Sequence, residues 1–202
     1  MATEPGWDVL LIGGGGSVGK THAASRLARR FGAGFLQADD VRLVLQRAVP
    51  ASTQPDLHFF LNSDIRTFEV EEALARQERI GRFVSHKLEV VIAHHVATRQ
   101  RLVIDGDSIT PELGTLVSHA GRSTAGRVRA VFVHEPELER VFNALRLRQR
   151  AENSEETDRR WAAFHHAHGE LLAERARELG MPVIPARPWG SLPARVTRAA
   201  GL

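Results

Sequence analysis

Gly13-Gly14-Gly15-Gly16-Ser17-Val18-Gly19-Lys20-Thr21 is the stretch on which the rest of the chain is read. From Gly14 it follows the spacing G-x-x-x-x-G-K-[ST] of a phosphate-binding P-loop. The apolar run Val9-Leu10-Leu11-Ile12 before it predicts a buried strand, and a helical pattern follows from Thr21 to about Phe31. Strand, glycine loop and helix together make an anion site. Glycines admit positive φ and bring N–H groups against phosphate oxygens. The helix N-terminus adds unpaired N–H groups and a positive partial charge. Gly14, Gly15, Gly16, Ser17, Val18 and Gly19 are therefore expected to wrap the phosphates of ATP. Lys20 would reach the β- and γ-phosphates, and the Thr21 hydroxyl would ligate Mg²⁺. Lys20 and Lys87 are the only lysines among 27 basic residues. Arginine has taken almost every other basic position, but a compact ammonium suits a phosphate cradle better than a planar guanidinium.

A length of 202 residues with 43 % hydrophobic content suits one α/β domain with a modest insertion. The absence of Cys excludes disulfides, thiol chemistry and cysteine zinc sites. The first six residues lack the layout of a signal peptide, and no apolar run approaches membrane-spanning length. A soluble cytoplasmic protein without a membrane partner is expected. The net charge of +3 is mild, and aromatics make up 6 % with no Tyr. Neither favours a nucleic-acid surface.

Strands and helices alternate along the chain, as in a parallel sheet covered on both faces. Strands are expected near 7–12, 34–37, 101–105, 128–134 and 181–185. Helices are expected near 20–31, 39–48, 137–150, 158–179 and 192–200. Residues 49–55 read as a linker, 63–99 as strongly helical, 120–126 as a glycine-bearing loop and 151–157 as a polar break. Ligands of such sheets bind at the carboxyl ends of the strands.

Carboxylates fall at those ends. Asp105 follows four apolar residues, as a Walker B aspartate does, and is expected to hold Mg²⁺ with Thr21. Asp39, beside Asp40, would accept the proton of an acceptor hydroxyl or hold a metal-bound water; an aspartate here also suits a helix N-cap. The arginine-dense segment 140–150 ends at the polar break, the pattern of a lid over ATP at about 146–160. Arg146 and Arg150 share a face at i,i+4 and are expected to meet the transferring phosphoryl group, with Arg148 directed elsewhere. Arg76, Arg79 and Arg82 lie on one helix face among glutamates and read as salt-bridge decoration. His94, His95, His165, His166 and His168 read as solvated or capping residues rather than metal ligands.

Taken together, these residues resemble the small-molecule P-loop kinases, nearest the 2-phosphoglycerate kinase-like group, with nucleoside kinases and zeta-toxin-type kinases as cousins. The resemblance rests on the P-loop, Asp39-x-Val41-Arg42, the Asp105-Gly106 turn leading to Pro111, the arginine helix, and Arg187-Pro188-Trp189. It implies a P-loop kinase core: a five-stranded parallel sheet of order 2-3-1-4-5 flanked by helices, with a helical acceptor-side insertion at about 50–99. It also implies ATP and Mg²⁺, a γ-phosphate passed to a small acceptor, and Arg187 at the nucleotide. Asp105 and Ser108 stand where that group is expected to have a Glu-Gly-x-His turn, which leaves the acceptor open. An ATPase switch without a small-molecule acceptor is the competing expectation. It would need no acceptor cavity.

Overall fold

Six consecutive residues without a charge, Val9–Gly14, form strand β1, and all six are buried. Such a run has no wet face, so it belongs at the centre of a sheet covered on both sides. The computed structural model describes residues 6–62, 68–149 and 153–202. After β1 come α1 (Lys20–Phe31), β2 (Gly34–Gln37), α2 (Ala38–Ala48), a 3₁₀ turn (Asp56–His58), α3 (Phe59–Asn62) and the long α4 (Val70–Thr98). There follow β3 (Leu102–Asp105), α5 (Pro111–Thr115), β4 (Ser118–His119), β5 (Arg122–Ser123), β6 (Val128–His134) and α6 (Leu138–Gln149). The chain ends with α7 (Glu155–Glu178), β7 (Val183–Pro185), a second 3₁₀ turn (Trp189–Ser191) and α8 (Leu192–Ala199).

The main sheet has the order β2-β3-β1-β6-β7, and every pairing in it is parallel. Numbered within that sheet alone, this is the order 2-3-1-4-5. Along β1 the pleat sends alternate residues to opposite faces. Val9 and Leu11 pack with Leu88, Ile92, Ile104 and Leu172 on the side of α4 and α7. Leu10 and Ile12 pack with Ala24, Leu27, Val131 and Val196 on the side of α1 and α8. The register sets Ile12 level with Asp105, and Asp105 level with Gln37. One edge of the sheet therefore presents the glycine loop, Asp105 and the start of α2 together.

Three local differences from the sequence expectations have physical causes. α7 begins at Glu155, inside the expected polar break, because the Ser154 hydroxyl caps it by accepting the Thr157 N–H. The glycine-bearing loop contains a two-stranded hairpin, β4 with β5, turned by the positive φ of Ala120 and Gly121. Beyond the linker, residues 56–62 are helical. They are held to α4 where Arg76 and Arg79 each donate to the Asp56 carboxylate at 2.6 Å. Phe60 and Phe68 then pack on α7, with ring centroids 5.4 Å from Phe164 and 5.2 Å from Trp161 respectively.

The opposite end of β1 is closed by charge. Asp8, only 2 % exposed, accepts two hydrogen bonds of 2.7 Å from Arg127 and one of 3.3 Å from Arg99. Arg127→Ala would leave this buried carboxylate with Arg99 alone, at a cost of about 3 kcal/mol. Thermal unfolding should register a fall in midpoint of roughly 6–12 °C, whereas a midpoint within a degree of the parent would contradict that role for the clamp.

Candidate functional site

The glycine loop folds as a P-loop because its neighbours leave no room for side chains. A Cβ on Gly14, which has φ +132°, would lie 2.1 Å from the Val133 carbonyl oxygen. On Gly15 it would lie 2.6 Å from the His165 carbonyl oxygen, and on Gly16 2.4 Å from the His165 imidazole. α7 is thus pressed backbone-to-backbone against the loop, with Gly169 facing Gly15. At the other end of the loop Gly19, φ +89°, begins α1 with no side-chain cap and no acidic residue in the first turn. Its N–H groups and partial positive charge are left for an anion.

Around this loop lies a cavity of about 530 Å³. Gly16 to Thr21, Asp39, Asp105, Asp107, Arg148, His165 and Trp189 all line it. Lys20 is 7 % exposed, and its ammonium donates to the Gly15 carbonyl at 2.5 Å. Burial lowers its pKa, opposed by the carboxylates of Asp107, Asp105 and Asp39. The Thr21 hydroxyl donates to Asp105 Oδ2 at 2.7 Å. Burial raises the Asp39 and Asp105 carboxyls above the ordinary aspartate range. Asp39 lies 3.5 Å from the Arg42 guanidinium. Asp107 is held below that range: burial would raise it, but the positive charges facing it, Lys20 foremost and Arg42, outweigh burial.

Three carboxylates here face the cations Lys20, Arg42 and Arg148. Asp39 Oδ1 and Asp105 Oδ1 are buried and find no hydrogen-bond partner among the described residues. Hard oxygens from a Thr–Asp pair, with unsatisfied carboxylate oxygens beside them, fit Mg²⁺. Among the described residues no group of three His, Asp, Glu or Cys side chains is arranged to hold a metal by itself. A Mg²⁺ bound through one or two carboxylates plus phosphate oxygens and water needs no such group.

Several residues stand elsewhere than expected. Arg146 does not line the cavity. It donates to the fully buried Asp158 at 3.2 Å and braces α6 against α7. Arg148, expected to point elsewhere, is the α6 arginine that does line it. Arg150 lies outside the described residues. Arg187 sits behind Trp189, its guanidinium 3.8 Å from the ring centroid and its Nε 3.4 Å from Glu135, so Trp189 rather than Arg187 forms the wall. His168 is not solvated, being 2 % exposed, and His165 is half-buried; the Nδ1 atoms of both are buried without a hydrogen-bond partner among the described residues. His165 stacks on Trp161 with ring centroids 5.4 Å apart. The i,i+3 spacing of His165 and His168, followed by Gly169, is the signal that marks this face of α7.

Asp107 also lines a second cavity, of about 280 Å³, between α4 and α7. Ser85 positions this turn from α4, donating to the Ser108 carbonyl at 2.9 Å and accepting the Thr110 N–H at 3.0 Å.

The sheet order and this loop give the chain a fold shared with solved small-molecule kinases. A gluconokinase from Sinorhizobium meliloti 1021 matches with a TM-score of 0.53 at 12 % identity, over 98 % of this chain and 94 % of that one. A shikimate kinase from Bacteroides thetaiotaomicron matches at 0.50 and 18 %, over 96 % of this chain and 99 % of that one. At such identities the likeness is one of fold. No protein-family model matches the chain, and no curated protein matches it in sequence. Among the described residues no helix is long and apolar enough to cross a membrane.

Burial lowers the pKa of His168 to about 4, against 6.5 for an ordinary histidine. Between those values the unfolded chain binds the extra proton, so stability falls as pH drops through that window. The loss is roughly 1.4 kcal/mol per pH unit for one imidazole. Urea unfolding at pH 7, 6 and 5 should therefore give a shallower decline for His168→Asn than for the parent. Equal slopes would contradict the burial of a neutral imidazole.

Proposed function

We propose that the chain is an ATP- and Mg²⁺-dependent phosphotransferase that moves the γ-phosphate of ATP to a small-molecule acceptor. The observation that carries this reading is the Lys20 ammonium at the mouth of α1, beside the Thr21–Asp105 pair, in a cavity that shares Asp107 with a second one. A switch that only hydrolyses ATP has no use for that second cavity. The narrower likeness to the 2-phosphoglycerate kinase-like group rests on short motifs, and the acceptor is better sought in the cavity than in the motifs.

In this reading the loop amides from Gly14 to Gly19 and the N-terminus of α1 bind the phosphates. Lys20 exchanges the Gly15 carbonyl for phosphate oxygens. Thr21 and Asp105 hold Mg²⁺, which neutralises charge on the phosphates when bound. Asp39 lies only in the nucleotide cavity, which favours the second of its two expected roles, orienting water at the metal. Trp189 offers an apolar wall for the base. Arg148 brings a guanidinium to the charge that spreads over the transferring group. Residues 50–99 act as the acceptor-side insertion, and residues 146–160 as the lid.

Lys20→Ala should lower ATP-dependent phosphate transfer by at least about 10²-fold and leave the melting midpoint near that of the parent, because the change also removes a buried charge. Transfer at the parental rate would remove the kinase reading. Asp105→Asn should weaken Mg²⁺ binding, measured as a rise in the metal concentration at half-maximal rate. An unchanged metal titration would take Asp105 out of the metal site.

A further inference from the structure

Three arginines lie one turn apart along α4, and two of them are already engaged. Arg76 and Arg79 both donate to Asp56 at 2.6 Å. Arg82 makes no ion pair among the described residues, and it lines the smaller cavity. Across that cavity Arg175 is taken up by Glu112 at 2.6 Å and Glu178 at 2.9 Å. Deeper in, Gln77 is 3 % exposed and its Nε2 finds no hydrogen-bond partner among the described residues, although the side chain lines the cavity. A buried amide left in this state is costly unless a ligand accepts its hydrogen bonds. His168 and Thr110 add polar groups, and Leu172 an apolar wall.

Of the three site carboxylates, Asp107 alone lines both cavities; Asp39 and Asp105 line only the nucleotide side. We infer that the smaller cavity is the acceptor site, that Asp107 is the catalytic carboxylate meeting the acceptor hydroxyl, and that Arg82 selects an acceptor carrying an anionic group. The inference rests on the phosphotransferase reading above. At roughly 30 Å³ for a water-sized group, 280 Å³ holds about nine non-hydrogen atoms, a hydroxylated skeleton of three or four carbons, and the open mouth leaves room for a longer one. In the step itself the acceptor oxygen forms a bond to the γ-phosphorus as the bond to the β-bridging oxygen breaks. That bridging oxygen keeps the electron pair and leaves on ADP. The hydroxyl proton passes to the Asp107 carboxylate and then to solvent.

The test uses the full chain with MgATP and matched acceptors of one carbon skeleton: glucitol, gluconate, glucitol 6-phosphate and glucamine, together with glycerol, glycerate and glycerol 3-phosphate. Phosphorylated product is quantified by mass spectrometry and kinetics. An anionic member should exceed its neutral counterpart at least tenfold in kcat/KM, and the carboxylate and phosphate arms identify which anion is held. Arg82→Gln should erase that preference. Arg79→Gln, whose partner is Asp56, should keep it. Asp107→Asn should lower kcat at least 100-fold with the KM for ATP within about threefold, in a protein whose melting curve remains cooperative.

Equal use of neutral acceptors, or preference for glucamine through Glu78 on the same wall, overturns the role of Arg82. Parental kcat in Asp107→Asn, with loss in Asp39→Asn instead, overturns that of Asp107. Binding of MgATP by calorimetry without transfer to any of these compounds overturns the acceptor-site inference while the nucleotide site stands. Absence of MgATP binding removes the phosphotransferase reading itself.

Discussion

The close approach of α7 to the glycine loop is the constraint on which the site depends. Gly169 faces Gly15, and the His165 ring covers Gly16, at separations that exclude a Cβ on either loop residue. This contact fixes the loop from above, as β1 and β6 fix it from below. It also carries His165 to the wall of the larger cavity and His168 to the wall of the smaller one, where burial keeps both imidazoles neutral at ordinary pH. The neutral His165 ring crowds the loop without adding to the positive charge already supplied by Lys20, Arg42 and Arg148.

Charge is handled in opposite ways at the two ends of the sheet. At the amino end Asp8 is satisfied by two arginines. At the carboxyl end Asp105, Gln77, His165 and His168 each keep a buried polar atom without a hydrogen-bond partner among the described residues, and Asp39 Oδ1 has only the Arg42 guanidinium at 3.5 Å. A fold that can satisfy a buried aspartate so fully at one end has not done so at the other. Unsatisfied buried groups are costly, and their convergence on two adjoining cavities makes sense where ligands complete the hydrogen bonding.

The strands were legible because buried parallel strands are continuous apolar runs: Val9–Ile12 and Leu102–Ile104 admit no other placement. The loop and Thr21 were legible because their spacing is local. The contribution of α7 was not, since residues 165 to 169 meet the loop only through the tertiary fold, and histidines give no sign in sequence of being buried. Arg146 and Arg148 show how narrow the margin is. Helical phase alone could not tell which would face the larger cavity, because the outcome turns on Asp158, a buried carboxylate on the next helix that draws Arg146 to itself. Likewise Arg76, Arg79 and Arg82 look equivalent until Asp56, some twenty residues earlier, claims the first two.

Among the described residues Asp107 is the one lining residue the two cavities share, so they adjoin there side by side. A nucleotide resting on Trp189 does not obstruct the passage between α4 and α7, and a guest there does not cover the glycine loop. For the phosphotransferase proposed above, such a layout imposes no queue: both partners could arrive in either sequence and be present together, so phosphate need never be parked on the protein in transit.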